Sequence, residues 1–414
     1  MLTSRIASLL LLLTMFCLPA RAENWPQFRG PAGDGHSTAK GLPIHWDTEQ
    51  NVAWKVKIPG LGWSSPIIQD GKLYLTAAVP VGKDGADQSL RTLCLNPQNG
   101  ETIWDTEVFL QPGPTKIHSK NSHASPTPIT DGKRLFVHFG TNGTACLDLK
   151  GEVLWRNTDL KYDPVHGSGG SPVLVDQNLI FSCDGSDLQF VTALDASTGK
   201  VRWKTERDSA DGKKFSFSTP LVLRLNGKTQ IVSPGSNCVN SYDAADGHEI
   251  WKVRYDGYSV IPCPIFGHGL IFVCTGYNSP SLYAIRPDGE GDVTDTHVEW
   301  KLSKAVPHSP SLILVDAELY LVSDQGIATC LEAKTGEQYW QKRLGGNYSA
   351  SPIAAEGRIY FQSEQGEGIV LQAGQEFAEL ARNPLGERSL ASYAAGDRTL
   401  FIRTEGHLYC VKEK

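Results

Sequence analysis

Two groups of side chains in this sequence have the types and spacing to form a ligand site. The first lies a few positions ahead of short apolar strands and comprises Trp63, His118, His123, His166, Tyr258, His308 and Tyr348. The second follows the next strand and comprises Asn142, Asp184, Asp187, Asn237, Tyr277, Asn278, Asp324, Gln325 and Glu364. Imidazoles, aromatic rings and carboxylates that converge on a concave surface can bind a ligand. Whether they converge depends on the fold.

A short strand, a turn and a second short strand ending in tryptophan recur along the chain. The clearest copy runs from Ala193 to Trp203, with Thr198 and Gly199 in its turn. Related copies end at Trp54, Trp104, Trp155, Trp251, Trp300 and Trp340, and Leu380 holds this place in one repeat. A period of roughly 40 to 50 residues built from short strands is typical of β-propeller blades. We therefore predict that these tryptophans are structural and wedged between neighbouring blades.

Each repeat begins with a small residue, usually followed by proline. The pairs are Ser65-Pro66, Ser125-Pro126, Ser171-Pro172, Thr219-Pro220, Cys263-Pro264, Ser309-Pro310, Ser351-Pro352 and, more loosely, Ser392-Tyr393. An alternating apolar strand follows, and then a tight turn such as Asp70-Gly71, whose residues supply the positive φ that hairpins need. The pattern predicts eight repeats of about four strands each.

The two ends of the chain complete one blade between them. The last repeat, from Ser392 to Lys414, ends after its third strand, whereas the strand around Trp54 stands alone. Closing the ring with strands from both ends leaves no open edge. We therefore predict an all-β, eight-bladed propeller of four-stranded antiparallel blades over residues 51–414. The N-terminal strand closes its last blade, and residues 23–50 form an N-terminal arm.

The first 22 residues have the features of a secretory signal peptide. Arg5 precedes an apolar stretch from Leu9 to Leu18, and Ala20-Arg21-Ala22 forms an A-x-A cleavage site. We predict cleavage after Ala22 and a secreted or periplasmic protein. Beyond this leader, no stretch of the sequence is long and apolar enough to span a membrane. We also expect a monomer.

Charge and cysteine usage exclude several classes of partner. The formal net charge is -6, and an acidic chain without a basic run is a poor nucleic-acid binder. Four of the cysteines, Cys94, Cys146, Cys330 and Cys410, take equivalent strand positions in different blades. Such positions are too far apart for a disulfide, which needs Cα atoms within roughly 7 Å. We predict buried free thiols and no metal site.

The form Ala-x-Asp-x-x-Thr-Gly-x-x-x-Trp, from Ala193 to Trp203, resembles the tryptophan-docking repeat of the pyrroloquinoline-quinone (PQQ) propeller superfamily. The resemblance covers about Asn51 to Lys414. The opening from Trp25 to Gly30 is similar to that of secreted PQQ-like propeller proteins of planctomycete-type bacteria. The superfamily contains quinoprotein dehydrogenases and also the non-enzymatic outer-membrane assembly propeller BamB, so the fold does not fix the function.

For the dehydrogenase branch, the resemblance implies a quinone beside a disulfide of adjacent cysteines, with Ca²⁺ held by oxygen ligands. This sequence has no adjacent cysteines, and it offers no residues that match the calcium ligands one by one. It also lacks the haem motif Cys-x-x-Cys-His and the motifs His-Glu-x-x-His and Gly-x-Ser-x-Gly. We therefore assign no catalytic residue, no metal and no cofactor, and PQQ belongs to the alternative function only.

We predict a non-catalytic binding or assembly scaffold that contacts a protein or envelope component through a propeller face or the rim. One alternative is a PQQ-dependent dehydrogenase of alcohols or sugars, with the quinone at the channel mouth. Another is a carbohydrate-binding or polysaccharide-processing accessory. The candidate site at the mouth comprises Trp63, His123, His166, Tyr258, Tyr277, His308, Asp324 and Tyr348. A polar or anionic ligand should bind there best near pH 6, where imidazoles gain charge.

Overall fold

The computed structural model describes residues 23–209 and 212–413 and confirms the predicted all-β, eight-bladed propeller. Each blade contains a four-stranded antiparallel sheet, and one blade gains a fifth, parallel strand at its outer edge. The predicted leader, residues 1–22, lies outside the described residues.

The first strand of the chain, β1 (Val52–Lys57), belongs to blade 8, and blades 1 to 4 follow it in order. Blade 1 holds β2 (Ile67–Gln69), β3 (Lys72–Val81), β4 (Asp87–Leu95) and β5 (Thr102–Gln111); blade 2 holds β6 (Ile129–Thr130), β7 (Arg134–His138), β8 (Thr144–Asp148) and β9 (Val153–Asn157). Blade 3 holds β10 (Val173–Val175), β11 (Asn178–Asp184), β12 (Gln189–Asp195) and β13 (Val201–Glu206); blade 4 holds β14 (Leu221–Leu225), β15 (Lys228–Pro234), β16 (Cys238–Asp243) and β17 (Glu249–Arg254). Short 3₁₀ turns at Lys83–Gly85 and Gly140–Asn142 lie between the second and third strands of blades 1 and 2.

The second half of the ring repeats the same order. Blade 5 holds β18 (Ile265–Gly267), β19 (Leu270–Cys274), β20 (Leu282–Ile285) and, after β21 (Gly291–Asp292), β22 (Val298–Leu302); blade 6 holds β23 (Ile313–Val315), β24 (Glu318–Val322), β25 (Ile327–Glu332) and β26 (Gln338–Arg343). Blade 7 holds β27 (Ile353–Ala355), β28 (Arg358–Gln362), β29 (Glu367–Gln372) and β30 (Ala378–Pro384); blade 8 holds β31 (Ala394–Gly396), β32 (Thr399–Arg403) and β33 (His407–Lys412).

The ring is closed as the two incomplete repeats predicted. Strand β1 pairs antiparallel with β33, placing Trp54 opposite Cys410 and Lys57 opposite His407. The outermost strand of blade 8 therefore comes from the N-terminal part of the chain, while its three inner strands come from the C-terminal part. Separating the two ends would expose the outer edge of β33.

The repeated tryptophans lie on outermost strands and pack on a turn of the following blade. The indole N–H of Trp203 donates to Ala244 O at 3.3 Å, and a Cβ on Gly247 in the same turn would lie 2.4 Å from the ring. Glycine is needed there for this close approach and for a φ of 77°. The same type of bond joins Trp54 to Pro97, Trp104 to Leu149, Trp155 to Ala196, Trp300 to Ala333 and Trp340 to Gly374.

Trp251 departs from this pattern. Its indole N–H donates at 3.2 Å to Gln230 Oε1 within its own blade, and the ring is fully buried. The cause is the long connection between β20 and β22 in blade 5. Part of that connection, β21, pairs in parallel with β17 of blade 4 and covers the edge that the other blades leave open.

Blades 2 and 6 begin two residues later than the sequence pattern indicated. Their innermost strands follow Thr127 and Ser311 rather than Ser125 and Ser309. Elsewhere the small residue stands two positions ahead of the strand, as Ser65 does before β2. Both blades carry two hydroxyl residues in alternation, so the sequence offers two registers, and packing selects the later one.

The N-terminal arm crosses the central channel before it reaches β1. Trp25 and Ile68 of blade 1 exchange two backbone hydrogen bonds of 2.8 Å, and further along the arm Ala354 of blade 7 donates to Gly35 O at 2.9 Å. Because blades 1 and 7 lie on either side of blade 8, these anchors span part of the channel. They also satisfy inner-edge backbone groups that the innermost strands would otherwise leave unpaired.

Arg29 fixes the middle of the arm. Its Nη2 donates to Asp34 O and to Leu312 O of blade 6, each at 2.6 Å, and the side chain is buried. Burial lowers the pKa of the guanidinium. The preceding residue, Phe28, faces the channel and forms part of the cavity described below.

The eight cysteines of the described chain are free and buried. Burial raises the pKa of Cys94 and of Cys238 to about 11, so these thiols stay neutral. Among residues 23–209 and 212–413, none lies in a helix with the length and hydropathy that a membrane crossing needs.

Candidate functional site

A cavity of about 840 Å³ opens where the loops between blades meet the turns between second and third strands. The residues leading into the innermost strands form its wall. In extended chain, successive side chains point to opposite faces, so residues two positions apart face the channel together. This alternation arranges the lining in tiers.

The tier nearest the strands is a ring of small polar side chains, which we call the hydroxyl belt. It comprises Ser65, Thr127, Ser171, Thr219, Ser311, Ser351 and Ser392, and Cys263 takes the eighth place. In six of the eight neighbouring pairs, the backbone N–H of one member donates to the hydroxyl oxygen of the next. The three links from Ser65 round to Thr219 are each 2.9 Å, and the three from Cys263 round to Ser392 are 2.9–3.1 Å. The belt therefore ties neighbouring blades together while facing the cavity.

A second tier lies two positions earlier in each segment and also faces the cavity. Its members are Trp63, Ser125, Gly169, Phe217, Ile261, Ser309, Ser349 and Leu390. Apolar members stand at blades 4 and 5 and again at blades 8 and 1, with serine or glycine between them. Ile261 is 40% exposed, which leaves its side chain open to an apolar ligand.

The rim of the cavity carries a continuous chain of rings, which we call the aromatic arc. In order it comprises His118, His166, Phe215, Tyr258, Tyr277 and His308, all of which line the cavity. Neighbouring centroids are 5.1–5.8 Å apart and the ring planes are inclined by 65–84°, as in edge-to-face pairs. Tyr277 comes from the β19–β20 turn and the others come from loops between blades. The arc thus follows the mouth from blade 2 to blade 6.

His166 is held by a strained stretch of chain. Val165, which precedes it, has a φ of 48°, a left-handed conformation that a β-branched residue rarely adopts. The carbonyl of His166 accepts a hydrogen bond of 2.8 Å from the Asn121 amide and one of 3.2 Å from the His118 N–H. Burial, with the nearby charges of His118 and Lys116, lowers the pKa of His166. His166 therefore gains charge at a lower pH than an ordinary histidine, which moves its contribution to the expected pH 6 optimum downwards.

Asp324 caps the loop that carries the last ring of the arc. Its carboxylate accepts hydrogen bonds from the backbone N–H of His308 at 2.6 Å and of Ser309 at 3.3 Å, and from the Ser309 hydroxyl at 2.8 Å. These three donors occupy the carboxylate. Its role is to position the loop, and it is poorly placed to take a proton from a ligand.

One long loop, residues 112–124, reaches from blade 1 across the mouth, and we call it the strap. Lys120 Nζ lies 2.7 Å from Glu364 Oε1 of blade 7, and Arg388 Nη2 donates to Ser119 O at 2.9 Å. On the other side the ring of His118 packs on His166. The strap therefore joins the aromatic side of the mouth to blades 7 and 8.

Six of the eight predicted site residues line this cavity: Trp63, His166, Tyr258, Tyr277, His308 and Asp324. His118 and Gln325, from the wider groups, line it as well. Other members of the second group serve elsewhere. Asp184 is buried 2.9 Å from Arg207 in an ion pair, and Glu364 anchors the strap.

Tyr348 and His123 are placed outside the lining. Tyr348 stands three positions ahead of Ser351, an odd offset, so its ring points away from the channel and is fully buried between blades 6 and 7. Ser349, at the even offset, faces the cavity instead. Because blade 2 starts two residues later, Thr127 belongs to the hydroxyl belt and Ser125 to the second tier. His123 lies further from the strand, outside the lining, and burial lowers its pKa.

Sequence reasoning missed Phe215, Phe217 and Lys213, all in the β13–β14 loop. For Phe217 the available signal was its even offset, because it stands two positions ahead of Thr219. The hydroxyl belt was also visible in the sequence, as the small residue that opens each repeat. There it marked the start of a strand, whereas in the structure it faces the cavity.

A calcium-bound quinone, which the dehydrogenase branch implies, would have to bind in this cavity. Such a site needs carboxylate and other oxygen ligands that are free to hold Ca²⁺, whereas Asp324 is already occupied by three protein donors. Across residues 23–209 and 212–413, no group of three or more His, Cys, Asp or Glu side chains is arranged to hold a metal ion. The residues present do not fit this group.

Comparisons with known proteins show the family of this chain but do not decide its function. Residues 37–158 and 291–413, together more than half of the chain, match the sequence family described as outer membrane protein assembly factor BamB. The outer membrane protein assembly factor BamB of Burkholderia pseudomallei (strain K96243) is 24% identical over 196 residues, which are 47% of this chain and 46% of that protein. The match thus spans about half the length of that relative.

Two solved structures share the architecture. BamB from Moraxella catarrhalis gives a TM-score of 0.60 at 12% identity, covering 87% of this chain and 99% of that one. The quinohemoprotein alcohol dehydrogenase from Comamonas testosteroni gives 0.68 at 11% identity, covering 94% of this chain and 80% of that one. Identities this low show the fold alone, and the fold is common to an assembly factor and an enzyme. The extent of the sequence match is what decides the family: the chain belongs to the family of outer membrane protein assembly factor BamB, within the PQQ-like propellers.

Proposed function

We propose that this protein is a non-catalytic binding propeller with an assembly role in the cell envelope, and that the cavity mouth is its binding site. The observation that carries the proposal is the aromatic arc, in which six rings from five loops and one turn face one cavity. Such a surface provides apolar contact and fixed orientation. The Asp324 carboxylate beside it is engaged with the His308 loop.

Two further points support this function. Family membership favours an envelope component as the partner, contacted through the mouth or the rim. The predicted leader, if cleaved after Ala22, would place the protein in the periplasm or outside the cell. The dehydrogenase alternative depends on a calcium-bound quinone, which the donor groups of this cavity do not fit.

A photo-crosslinking experiment tests the proposal in the native envelope. A photoreactive phenylalanine analogue replaces Tyr277, which is 52% exposed at the mouth. The matched control replaces Asp246, exposed in the β16–β17 turn at the other end of its blade. We expect a discrete cross-linked component from position 277 and none from position 246. Equal labelling from both positions would contradict a site at the mouth.

An activity assay separates the two functions. The protein is incubated with PQQ, Ca²⁺ and a panel of alcohols and sugars, and reduction of an artificial electron-accepting dye is followed. We expect no turnover above that of heat-denatured protein. Substrate-dependent dye reduction that Tyr277→Ala weakens would favour the dehydrogenase.

A further inference from the structure

We propose that the cavity selects ligands in which a carboxylate is carried on an apolar body. This inference deepens the proposed function and rests on it. The carboxylate could belong to a small organic acid or to the last residue of a peptide. The chemistry recognised is the same in both cases, and the experiment below distinguishes the two sources.

The hydroxyl belt presents donors to the cavity. The oxygen of Thr219 accepts the N–H of Ser171 at 2.9 Å, and the oxygen of Ser392 accepts that of Ser351 at 2.9 Å. A hydroxyl whose oxygen is used in this way keeps its own O–H for a second partner. The hydroxyl of Ser351 donates to Ser311 at 3.0 Å, whereas Thr219 and Ser392 keep their O–H groups for a ligand group that accepts hydrogen bonds, as a carboxylate does.

The charge on the lining points the same way. Lys213 lines the cavity, and its Nζ donates to the Tyr258 hydroxyl at 3.0 Å. Lys120 also lines the cavity, but its charge is paired with Glu364. The carboxylate of Asp324 is directed to backbone and hydroxyl donors of its own loop. A ligand anion thus meets the Lys213 cation and hydroxyl donors in the cavity, although the chain as a whole has a net charge of -6. Charge-assisted hydrogen bonds of this kind are the strong ones.

The aromatic arc and the second tier provide for the apolar body. Phe217 and Ile261 face the cavity below the rings of Phe215 and Tyr258. Most of these residues lie in 159–290, between the two segments that match the family. The apolar side of the cavity is therefore built largely from the part of the chain that the family match does not cover.

The N-terminal arm and the strap restrict how a ligand can bind. Phe28 of the arm lines the cavity while Trp25 and Gly35 anchor the arm to the innermost strands below. The strap bridges the mouth through the pair of Lys120 and Glu364. A ligand must enter by one end, which favours a free terminal group over the middle of a long polymer.

Binding measurements with paired probes test the inference. 4-Phenylbutyrate is compared with its neutral amide, and an acetylated hexapeptide ending in leucine is compared with the same peptide amidated at its C-terminus. Isothermal titration at constant ionic strength should show at least a tenfold preference for the acid in one pair. Preference in the first pair identifies small acids as the source, and preference confined to the second identifies peptide ends.

Matched variants connect the preference to the cavity. Lys213→Gln should weaken binding of the acid several-fold and leave the amide unchanged, whereas Lys214→Gln, which is outside the lining, should leave both unchanged. Thr219→Val should also reduce the preference, provided that its melting temperature shows an intact fold. Tyr277→Ala should weaken acid and amide equally, because it removes contact with the body alone.

Two results would overturn the inference. One is equal binding of acid and amide in both pairs, and the other is tighter binding of a neutral oligosaccharide such as maltohexaose than of either acid. If the cross-link at position 277 still forms, the proposed function stands and only the ligand class is wrong. Loss of that cross-link together with all probe binding would instead remove the proposed function.

Discussion

Lys120 and Glu364 meet at 2.7 Å across the mouth of the cavity, although 244 residues separate them in the sequence. The pair joins the strap to blade 7, and Glu364 also accepts a 2.6 Å hydrogen bond from Ser349, a cavity residue. The lysine side chain is 39% exposed and the glutamate 10%. A partly exposed pair of this kind adds about 0–1 kcal/mol to stability, so its main effect is on the position of the strap.

Glu364→Gln should therefore loosen the strap without unfolding the protein. We expect trypsin to cut after Lys116 or Lys120 several times faster, with little change in melting temperature. Glu367→Gln is the control, because Glu367 pairs with Arg382 on an outer strand. An unchanged cleavage rate in the Glu364 variant would mean that Arg388 and His118 hold the strap by themselves.

Replacing Trp203 by alanine should cost about 3–5 kcal/mol, the usual figure for truncating a buried aromatic residue. The change removes ring packing on Gly247 and the hydrogen bond to Ala244. Urea unfolding followed by circular dichroism measures the loss. Val201→Ala, on the same strand but 42% exposed, should change stability by about 0.5 kcal/mol or less. Similar midpoints for the two variants would contradict the docking role.

The fold could be predicted from the sequence because its signals are local. The turn glycines and the tryptophans recur along the repeats. The single strand at Trp54 supplies the fourth strand that the last repeat lacks after Cys410. The site could be predicted only in part. Whether a side chain faces the channel depends on its even or odd distance in sequence from the innermost strand, and on the length of the loop. Tyr348 and Ser349 are neighbours, yet only Ser349 lines the cavity.

Loop contacts between distant blades were also beyond sequence reasoning. The sequence around Lys120 does not indicate its partner Glu364, and the sequence around Phe215 does not indicate that its ring meets those of His166 and Tyr258. These contacts depend on how the ring closes, which places loops side by side that are far apart in the chain. The repeat length in the sequence predicts the number and order of the blades. Which loop residues come into contact depends on three-dimensional packing.

Arg207 and Asp184 form a buried ion pair with 2.9 Å between Nε and Oδ1. Burial raises the pKa of Asp184 to about 6 even beside the guanidinium. Arg207→Met leaves the carboxylate without its counter-charge, and its pKa should then rise further. Removing one partner of a buried pair typically costs about 3–5 kcal/mol, and we expect a loss of this size at pH 8.

The pH dependence of this loss has a definite sign. The folded pKa lies above the unfolded value of about 3.9, so protonation of Asp184 favours the folded state. The variant should approach wild-type stability as the pH falls through 6 towards 4, and lose it again as the pH rises. Urea midpoints at pH 5 and pH 8 measure the difference. The double variant Arg207→Met/Asp184→Asn lacks the titrating group. Its difference in urea midpoint from wild type should not become smaller between pH 8 and pH 5.

Two glycines of the N-terminal arm provide a matched test of whether Trp25 anchors the arm to blade 1. Gly30 and Gly33 both have positive φ, 80° and 72°, so alanine at either position carries a similar backbone cost. Only at Gly30 would the new Cβ lie 2.7 Å from the ring of Trp25; at Gly33 the nearest atom is 3.6 Å away. Gly30→Ala should therefore displace Trp25 and free the backbone N–H of Ile68, which donates to Trp25 O. Hydrogen exchange at the Ile68 amide should accelerate in Gly30→Ala and remain close to wild type in Gly33→Ala. Equal exchange in the two variants would show that the arm is held by Arg29 and Gly35, independently of the Trp25 anchor.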